Sequence, residues 1–151
     1  MINIEKDKTY LVTGGSGFLG TELIERILNS KGKVVTLARD EGKLIELKQR
    51  FPSIKIFTGD ICDQFDVHQA LKNVDGVFHL AAFKHVGLAE EQTRECIRSN
   101  VMGSLNILEA ASVNELDFVV GISTDKAAQV AGVYGASKYL MERLFEQFEL
   151  S

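Results

Sequence analysis

The chain has 151 residues, of which 45% are apolar and 25% are charged, and its formal net charge is −4. This length predicts a single domain spanning residues 1–151, because a chain of this size buries roughly 70% of the surface that it exposes when unfolded. The acidic balance argues against general binding of nucleic acid or of anionic membranes, since such binding needs a basic face.

The chain carries no sign of secretion, membrane insertion or a metal site. Its two cysteines, Cys62 and Cys96, are too few for a disulfide framework and do not stand at a metal-binding spacing. The first eight residues lack the apolar core of a secretory signal. No apolar run reaches the ~20 residues that a membrane-spanning helix needs. We therefore expect a cytoplasmic protein in a reducing environment.

Brief apolar runs alternate along the chain with segments of helical period. The predicted strands are 9–13, 33–37, 54–57, 76–81 and 118–122. The predicted helices are 21–28, 41–50, a short helix capped by Asp63, a long helix within 88–113 whose inner face carries Val101, Leu105, Ile107 and Leu108, and 134–148. Continuously apolar strands between helices predict an α/β Rossmann fold, a doubly wound parallel sheet of about five strands.

A glycine-rich segment, Gly14 to Gly20, lies where the first strand turns into the first helix. Gly14 permits a tight turn, Gly17 lets the backbone approach a pyrophosphate, and Gly20 lets the helix pack close to the strand. The N–H groups and the dipole at the helix start favour an anion. We interpret the segment as a dinucleotide-binding loop rather than a plain turn. Its predicted cofactor contacts are Gly14, Ser16, Gly17, Phe18, Leu19 and Gly20.

The end of the second strand indicates which dinucleotide is bound. An NAD site usually places a carboxylate at this strand tip to bind the ribose hydroxyls, but the tip here is Ala38. Arg39 and Lys43 are suited to hold a 2′-phosphate, which favours NADP. In the alternative, the cofactor is NAD, Asp40 binds the ribose, and Arg39 is a surface charge.

Two further polar residues next to predicted strands allow local interpretations. Asp60 follows the third strand and is a candidate acceptor for the adenine amino group. Its alternative role, a helix cap, is better served by Asp63. His79 lies within the fourth strand, where we predict a buried histidine with a hydrogen-bonded proton rather than a metal ligand.

The last third of the chain carries the residues that we predict to be catalytic. Tyr134 and Lys138 stand four residues apart at the start of a helix, so their side chains share one face. A lysine ammonium beside a phenol stabilises phenolate, the form that a general base for an alcohol requires. Thr124 follows the fifth strand, at the edge where open α/β sheets bind ligands, and its hydroxyl can orient a substrate oxygen.

Together these motifs resemble the extended short-chain dehydrogenase/reductase superfamily, which acts on nucleotide sugars through NAD(P). Two segments, 80–86 and 123–127, are similar to signatures of the UDP-N-acetylglucosamine 4,6-dehydratases of polysaccharide biosynthesis. Segments 39–41, 88–90 and 100–104 fit the same group. The resemblance covers the chain but only the N-terminal half of the family. It implies further cofactor contacts at Ile61, Leu80, Ala81, Ala82, Lys84, Asn100, Tyr134 and Lys138.

The resemblance implies a dehydration with internal redox steps. Tyr134, helped by Lys138 and Thr124, would take the proton of the sugar 4-hydroxyl while hydride passes to NADP+. Lys126 would then take the C5 proton and Asp125 would protonate the leaving 6-hydroxyl, before hydride returns to C6. The same lysine can also reprotonate C5 from the other face and so invert it. In the alternative interpretation, Asp125 and Lys126 are a solvated pair of charges in a loop and take no part in catalysis.

Some features of the sequence leave other functions open. Proline is frequent in the group where this chain has Gly87, and an Asn-Pro pair is usual within the segment 129–133. A 4-epimerase or reductase would use Tyr134 and Lys138 alone, and a non-catalytic NADP-binding module would use neither. We expect the chain to be the N-terminal part of a longer enzyme whose C-terminal part binds the UDP-N-acetylhexosamine. An unpaired edge on the fifth strand predicts a homo-oligomer.

Overall fold

The structure is a computed structural model that describes residues 3–149. The strands are β1 Thr9–Thr13, β2 Lys33–Ala38, β3 Lys55–Thr58, β4 Gly76–His79 and β5 Phe118–Gly121. The helices are α1 Phe18–Asn29, α2 Glu41–Arg50, α3 Gln64–Ala70, α4 Val86–Glu91, α5 Thr93–Ile97, α6 Gly103–Val113 and α7 Val133–Glu149. A π-helix, Arg98–Met102, joins α5 to α6, and a 3-10 turn, Asp125–Ala127, follows β5. Within residues 3–149 no helix is long and apolar enough to cross a membrane.

The five strands form one parallel sheet in the order β3-β2-β1-β4-β5. The chain moves outward from β1 to β3 and then crosses to β4 on the other side of β1. Thr13 at the end of β1 therefore pairs with both Leu37 and His79. A reversal of strand order of this kind opens a crevice at the carboxyl ends of the strands, where open α/β sheets bind ligands. The predicted doubly wound α/β fold is confirmed, and β5 lies at an edge of the sheet among the described residues.

Helices cover both faces of the sheet, and the core is divided between them. Leu11 packs with Val67 and Ile107 on the face of α3 and α6. Its neighbour Val12 points to the other face and packs with Ile24 of α1. Alternate strand residues are thus buried on opposite sides, which explains why the strands are continuously apolar in sequence.

The predicted long helix within 88–113 is broken at two places. Gln92, with φ −121° and ψ 49°, separates α4 from α5. The π-helix then widens the turn before α6, and it lets the Ser104 hydroxyl donate to the Asn100 carbonyl at 2.7 Å. Ile107 and Leu108 are buried as predicted, whereas Val101 and Leu105 are half-buried.

The fourth strand ends two residues earlier than predicted. The N–H groups of Leu80 and Ala81 both lie 3.1 Å from Thr13 Oγ1 and donate to it. The backbone therefore turns towards β1 after His79, and the residues predicted as its last part become a loop at the crevice.

Candidate active site

A cavity of about 660 Å³ opens at the carboxyl edge of the sheet. Its volume lies within the ~300–1,000 Å³ range of small-molecule and cofactor sites. Fourteen of the predicted cofactor contacts line it: Gly14, Ser16, Gly17, Phe18, Leu19, Gly20, Arg39, Lys43, Asp60, Ile61, Leu80, Ala81, Ala82 and Lys84. They come from four separate loops, which meet because the carboxyl ends of parallel strands share one edge. The lining also includes Ser99 and Ile122, which the sequence analysis did not single out.

The glycine-rich loop forms one end of the cavity. Gly14 has φ +69°, a backbone conformation that glycine adopts without strain. The Gly17 N–H donates to the Gly14 carbonyl at 3.0 Å, which closes the turn before α1. Gly17 then caps α1 without a side-chain hydrogen bond, so the first N–H groups of the helix stay available to an anion.

At the end of β2, Asp40 and Arg39 have different surroundings. Asp40 caps α2: its carboxylate accepts the Lys43 N–H at 3.0 Å and lies 3.7 Å from Lys43 Nζ. Arg39 is exposed and makes no hydrogen bond or ion pair with any described residue. The carboxylate that would bind a ribose is thus engaged as a helix cap, while the guanidinium is free.

At the end of β3, Asp60 lies in the cavity wall with its carboxylate already engaged. One oxygen accepts the Cys62 N–H at 2.9 Å, and the other lies 3.4 Å from the Arg98 guanidinium. Burial raises the pKa of the Cys62 thiol to about 11, with Asp60 adding to the effect, so this cysteine is unreactive at neutral pH. Asp63 caps α3, as predicted, by accepting two main-chain N–H groups at 2.8 and 3.2 Å.

The cavity floor after β4 is held by a buried hydrogen-bonded chain. Thr13 Oγ1 accepts the N–H groups of Leu80 and Ala81, so its own proton goes to His79 Nδ1, 2.8 Å away. His79 Nε2–H then donates to Ser104 Oγ at 3.0 Å. Burial lowers the pKa of His79 to about 3, and the Lys138 ammonium adds to the effect, so the ring is neutral. The predicted buried histidine is confirmed.

Three of the predicted cofactor contacts, Asn100, Tyr134 and Lys138, are not among the cavity-lining residues. Asn100 lies inside the protein. It is 1% exposed, because the π-helix turns it into the protein. Its side-chain oxygen accepts the Phe83 N–H at 2.7 Å, and its amide nitrogen donates to Phe83 O and to Ser137 Oγ, each at 2.9 Å. Asn100 therefore ties the loop after β4 to α7.

Thr124, Asp125 and Lys126 lie together just beyond the carboxyl end of β5. The Thr124 hydroxyl donates to Asp125 Oδ1 at 3.0 Å, and Lys126 Nζ lies 3.5 Å from the same oxygen. The side chains of Asp125 and Lys126 are 87% and 52% exposed. The Thr124 hydrogen bond and the Lys126 charge lower the pKa of Asp125, so its carboxylate is ionised at neutral pH. A general acid needs the opposite shift, so Asp125 must first receive a proton.

Tyr134 and Lys138 share one face of α7, as predicted, but their surroundings differ. Tyr134 is half-buried, and its phenol makes no hydrogen bond with a described residue. Lys138 is 3% exposed, and its ammonium donates to the Ile122 carbonyl at 2.5 Å. Burial lowers the pKa of Lys138. The start of α7 is fixed by Glu90, whose carboxylate accepts the Val133 N–H at 2.7 Å.

The sequence profile of a family described as "Polysaccharide biosynthesis protein" matches residues 10–151. The chain belongs to this family. Within residues 3–149 this member of the polysaccharide biosynthesis family has no group of three or more His, Cys, Asp or Glu side chains that could hold a metal ion.

Relatives of this family member carry several names. An uncharacterized membrane protein of Methanocaldococcus jannaschii is 43% identical over 145 residues, which cover 94% of this chain and 44% of the relative. The inverting UDP-N-acetylglucosamine 4,6-dehydratase of Campylobacter jejuni is 36% identical over 142 residues. A UDP-glucose 4-epimerase of Rickettsia bellii is 37% identical over 145 residues. The last two alignments each cover 91% of this chain and 42% of the relative, so the chain spans less than half the length of these proteins.

Solved structures show the same fold. Pen from Bacillus thuringiensis superposes with a TM-score of 0.95 at 34% identity, over 99% of this chain and 47% of that one. MoeE5, solved in complex with UDP-glucose and NAD, superposes with a TM-score of 0.82 at 28% identity, over 95% of this chain and 50% of that one. The Rossmann fold of this family member is therefore shared with a protein that was solved with a nicotinamide dinucleotide bound.

Proposed function

We propose that this chain carries the cofactor-binding and catalytic residues of an NADP-dependent nucleotide-sugar 4,6-dehydratase, acting on a UDP-N-acetylhexosamine in surface-polysaccharide synthesis. One observation carries the proposal: the cavity of about 660 Å³ joins the glycine-rich loop to Ile122, two residues before Thr124 and the Asp125–Lys126 pair. The residues proposed to be catalytic do not line the cavity themselves, but the segment that carries Thr124 to Lys126 follows directly on its wall. We also propose that the protein is cytoplasmic and self-associates through the edge of β5 or its long helices.

The residues at the cavity fit a dinucleotide phosphate. The first turn of α1 offers N–H groups to a pyrophosphate, and Gly17 leaves space for its approach. Arg39 and Lys43 would hold the 2′-phosphate, and Lys84 adds a third cation to the lining. When bound, NADP supplies a reversible acceptor for the hydride of the sugar C4.

The catalytic residues would divide the proton transfers between them. Tyr134 would take the proton of the 4-hydroxyl, which Thr124 orients and the Lys138 ammonium makes easier to remove. Lys126 Nζ lies 3.5 Å from Asp125 Oδ1, which would let a proton pass from the ammonium to the carboxylate. With that proton on Asp125, the amine of Lys126 would take the C5 proton while Asp125 protonates the leaving 6-hydroxyl. The ionised state of Asp125 is then the resting state of the pair.

Incubation of the protein with NADP and UDP-N-acetylglucosamine tests the reaction. We expect a 4-keto-6-deoxy product that is lighter by one water, measured by mass spectrometry. A 4-epimerase, the activity named for the Rickettsia relative, would leave the mass of the sugar nucleotide unchanged. Tight NADP binding without any conversion would instead favour the non-catalytic binding module.

Arg39→Ala is expected to weaken NADP binding about 10–100-fold and to leave NAD binding unchanged. The reason is that hydrogen bonds to charged groups contribute about 1.5–3 kcal/mol, and only NADP carries the 2′-phosphate. Isothermal titration with both cofactors measures the effect. Lys72→Ala, which removes an exposed cation outside the cavity lining, is the matched control. An equal loss for both cofactors would contradict the assignment and would favour Asp40 and NAD.

A further inference from the structure

Helix α7 holds the segment after β5 at two successive residues. The Lys138 ammonium donates to the Ile122 carbonyl at 2.5 Å, and the Ser123 hydroxyl donates to the Glu142 carboxylate. Lys138 and Glu142 are four residues apart, one helical turn, so their side chains lie on the same face of α7. The position from which Thr124 extends is therefore set by α7 rather than by the sheet alone.

The Lys138 ammonium is almost completely buried, so its charge needs a partner. Glu142 lies one turn further along α7 and is half-buried, and its charge raises the pKa of Lys138 against the effect of burial. Cys96 on α5 acts on the pKa of Lys138 in the same direction, and the Lys138 ammonium in turn lowers the pKa of His79 on β4. Of these groups, Glu142 also holds Ser123, the residue next to the Ile122 carbonyl that Lys138 binds.

We propose that Glu142 is a positioning residue of the active site: its carboxylate holds in place Ser123, the residue that precedes Thr124, and keeps the buried Lys138 side chain as an ammonium. This inference rests on the proposed function, which assigns Thr124 and Lys138 their roles, and deepens it. Glu142 itself is not among the cavity-lining residues and touches no reacting group.

Three variants separate the charge of Glu142 from its hydrogen bond. Glu142→Gln keeps an acceptor for Ser123 but removes the charge, Glu142→Asp keeps the charge, and Ser123→Ala removes the hydrogen bond. Glu146→Gln is the matched control, since it removes a surface carboxylate of the same helix, whose ion-pair partner within the described part of the chain is Arg143. Thermal unfolding of each variant establishes that it folds.

The first readout is the titration of Lys138, followed by the NMR shift of its 13C-labelled ε carbon and assigned with Lys138→Arg. We expect Glu142→Gln to lower the titration midpoint by about 1–3 pH units, the usual effect of an adjacent opposite charge. Glu142→Asp, Ser123→Ala and Glu146→Gln should titrate like the unmodified protein. An unchanged midpoint in Glu142→Gln would overturn the proposal, and so would an equal shift in Ser123→Ala.

The second readout is NADP affinity as a function of pH. If the ammonium contacts the cofactor, the loss of affinity at high pH should move to lower pH in Glu142→Gln by the same amount. A shifted lysine titration with an unshifted NADP profile would uphold the role of Glu142 towards Lys138. It would show at the same time that the proposed function assigns Lys138 to the cofactor wrongly.

Discussion

Replacing Gly20 by alanine is expected to lower the free energy of unfolding by about 1–3 kcal/mol, the usual cost of overpacking, and to abolish NADP binding. A Cβ on Gly20 would lie 2.4 Å from the Gly14 carbonyl oxygen and 2.7 Å from Gly15 Cα. Both are backbone atoms of the glycine-rich loop, so α1 and the loop must move apart. The displaced helix start can no longer present its N–H groups to a pyrophosphate. Urea unfolding and cofactor titration measure the two effects.

Two other glycines provide the controls for this result. A Cβ on Gly17 would meet the Gly14 carbonyl at 3.4 Å, an ordinary contact. Gly17→Ala should therefore lose NADP affinity, because it fills the space that the pyrophosphate approaches, and should lose less stability than Gly20→Ala. A Cβ on Gly87 in α4 meets nothing within 4 Å, so Gly87→Ala should leave NADP binding unchanged and should not lower the free energy of unfolding. Undiminished stability in Gly20→Ala would contradict the close packing of α1 against the loop.

Replacing Lys126 by alanine is expected to stop water loss while sparing oxidation at C4. Loss of a positioned general base lowers the rate by about 10²–10⁴-fold. Because Tyr134 and Lys138 remain in place, the oxidised sugar and the reduced cofactor should accumulate. Cofactor absorbance follows the first step, and mass spectrometry of the sugar nucleotide follows the second.

Two further variants serve as controls for the Lys126→Ala experiment. Tyr134→Phe should stop both steps, since it removes the base for the 4-hydroxyl. Gln129→Ala, an exposed change in the same loop, should stop neither. Full dehydratase turnover in Lys126→Ala would show that the lysine has no part in the elimination.

The fold was predictable because its signals are local and repeated. Tyr10, Leu11 and Val12 are buried on alternating faces, so β1 shows in the sequence as one unbroken apolar run. The residue types of the glycine-rich loop are sufficient to predict its turn. Once the strands are parallel, topology brings their carboxyl ends together, which is why loops distant in sequence line one cavity.

The parts that were not predictable depend on contacts between distant residues. The segment 88–102, which contains the break at Gln92 and the π-helix, has no proline or glycine to signal them. The inward orientation of Asn100 follows from that widened turn and from its partners Phe83 and Ser137. The pairing of Ser123 with Glu142 joins residues that are 19 apart in the chain, and no periodic pattern marks it.

The π-helix at Arg98–Met102 makes the length of this segment, more than its composition, the property that the protein must conserve. Its i to i+5 hydrogen bonds accommodate an extra residue in the turn, and each helical residue accounts for about 100° of rotation. Deleting one residue here would swing α5 about a quarter of a turn relative to α6 and would carry Cys96 away from Ser137. An exposed position such as Met102 can change freely by comparison. Insertions and deletions should therefore be excluded from this segment, although it lies outside the glycine-rich loop and the residues from Thr124 to Lys138.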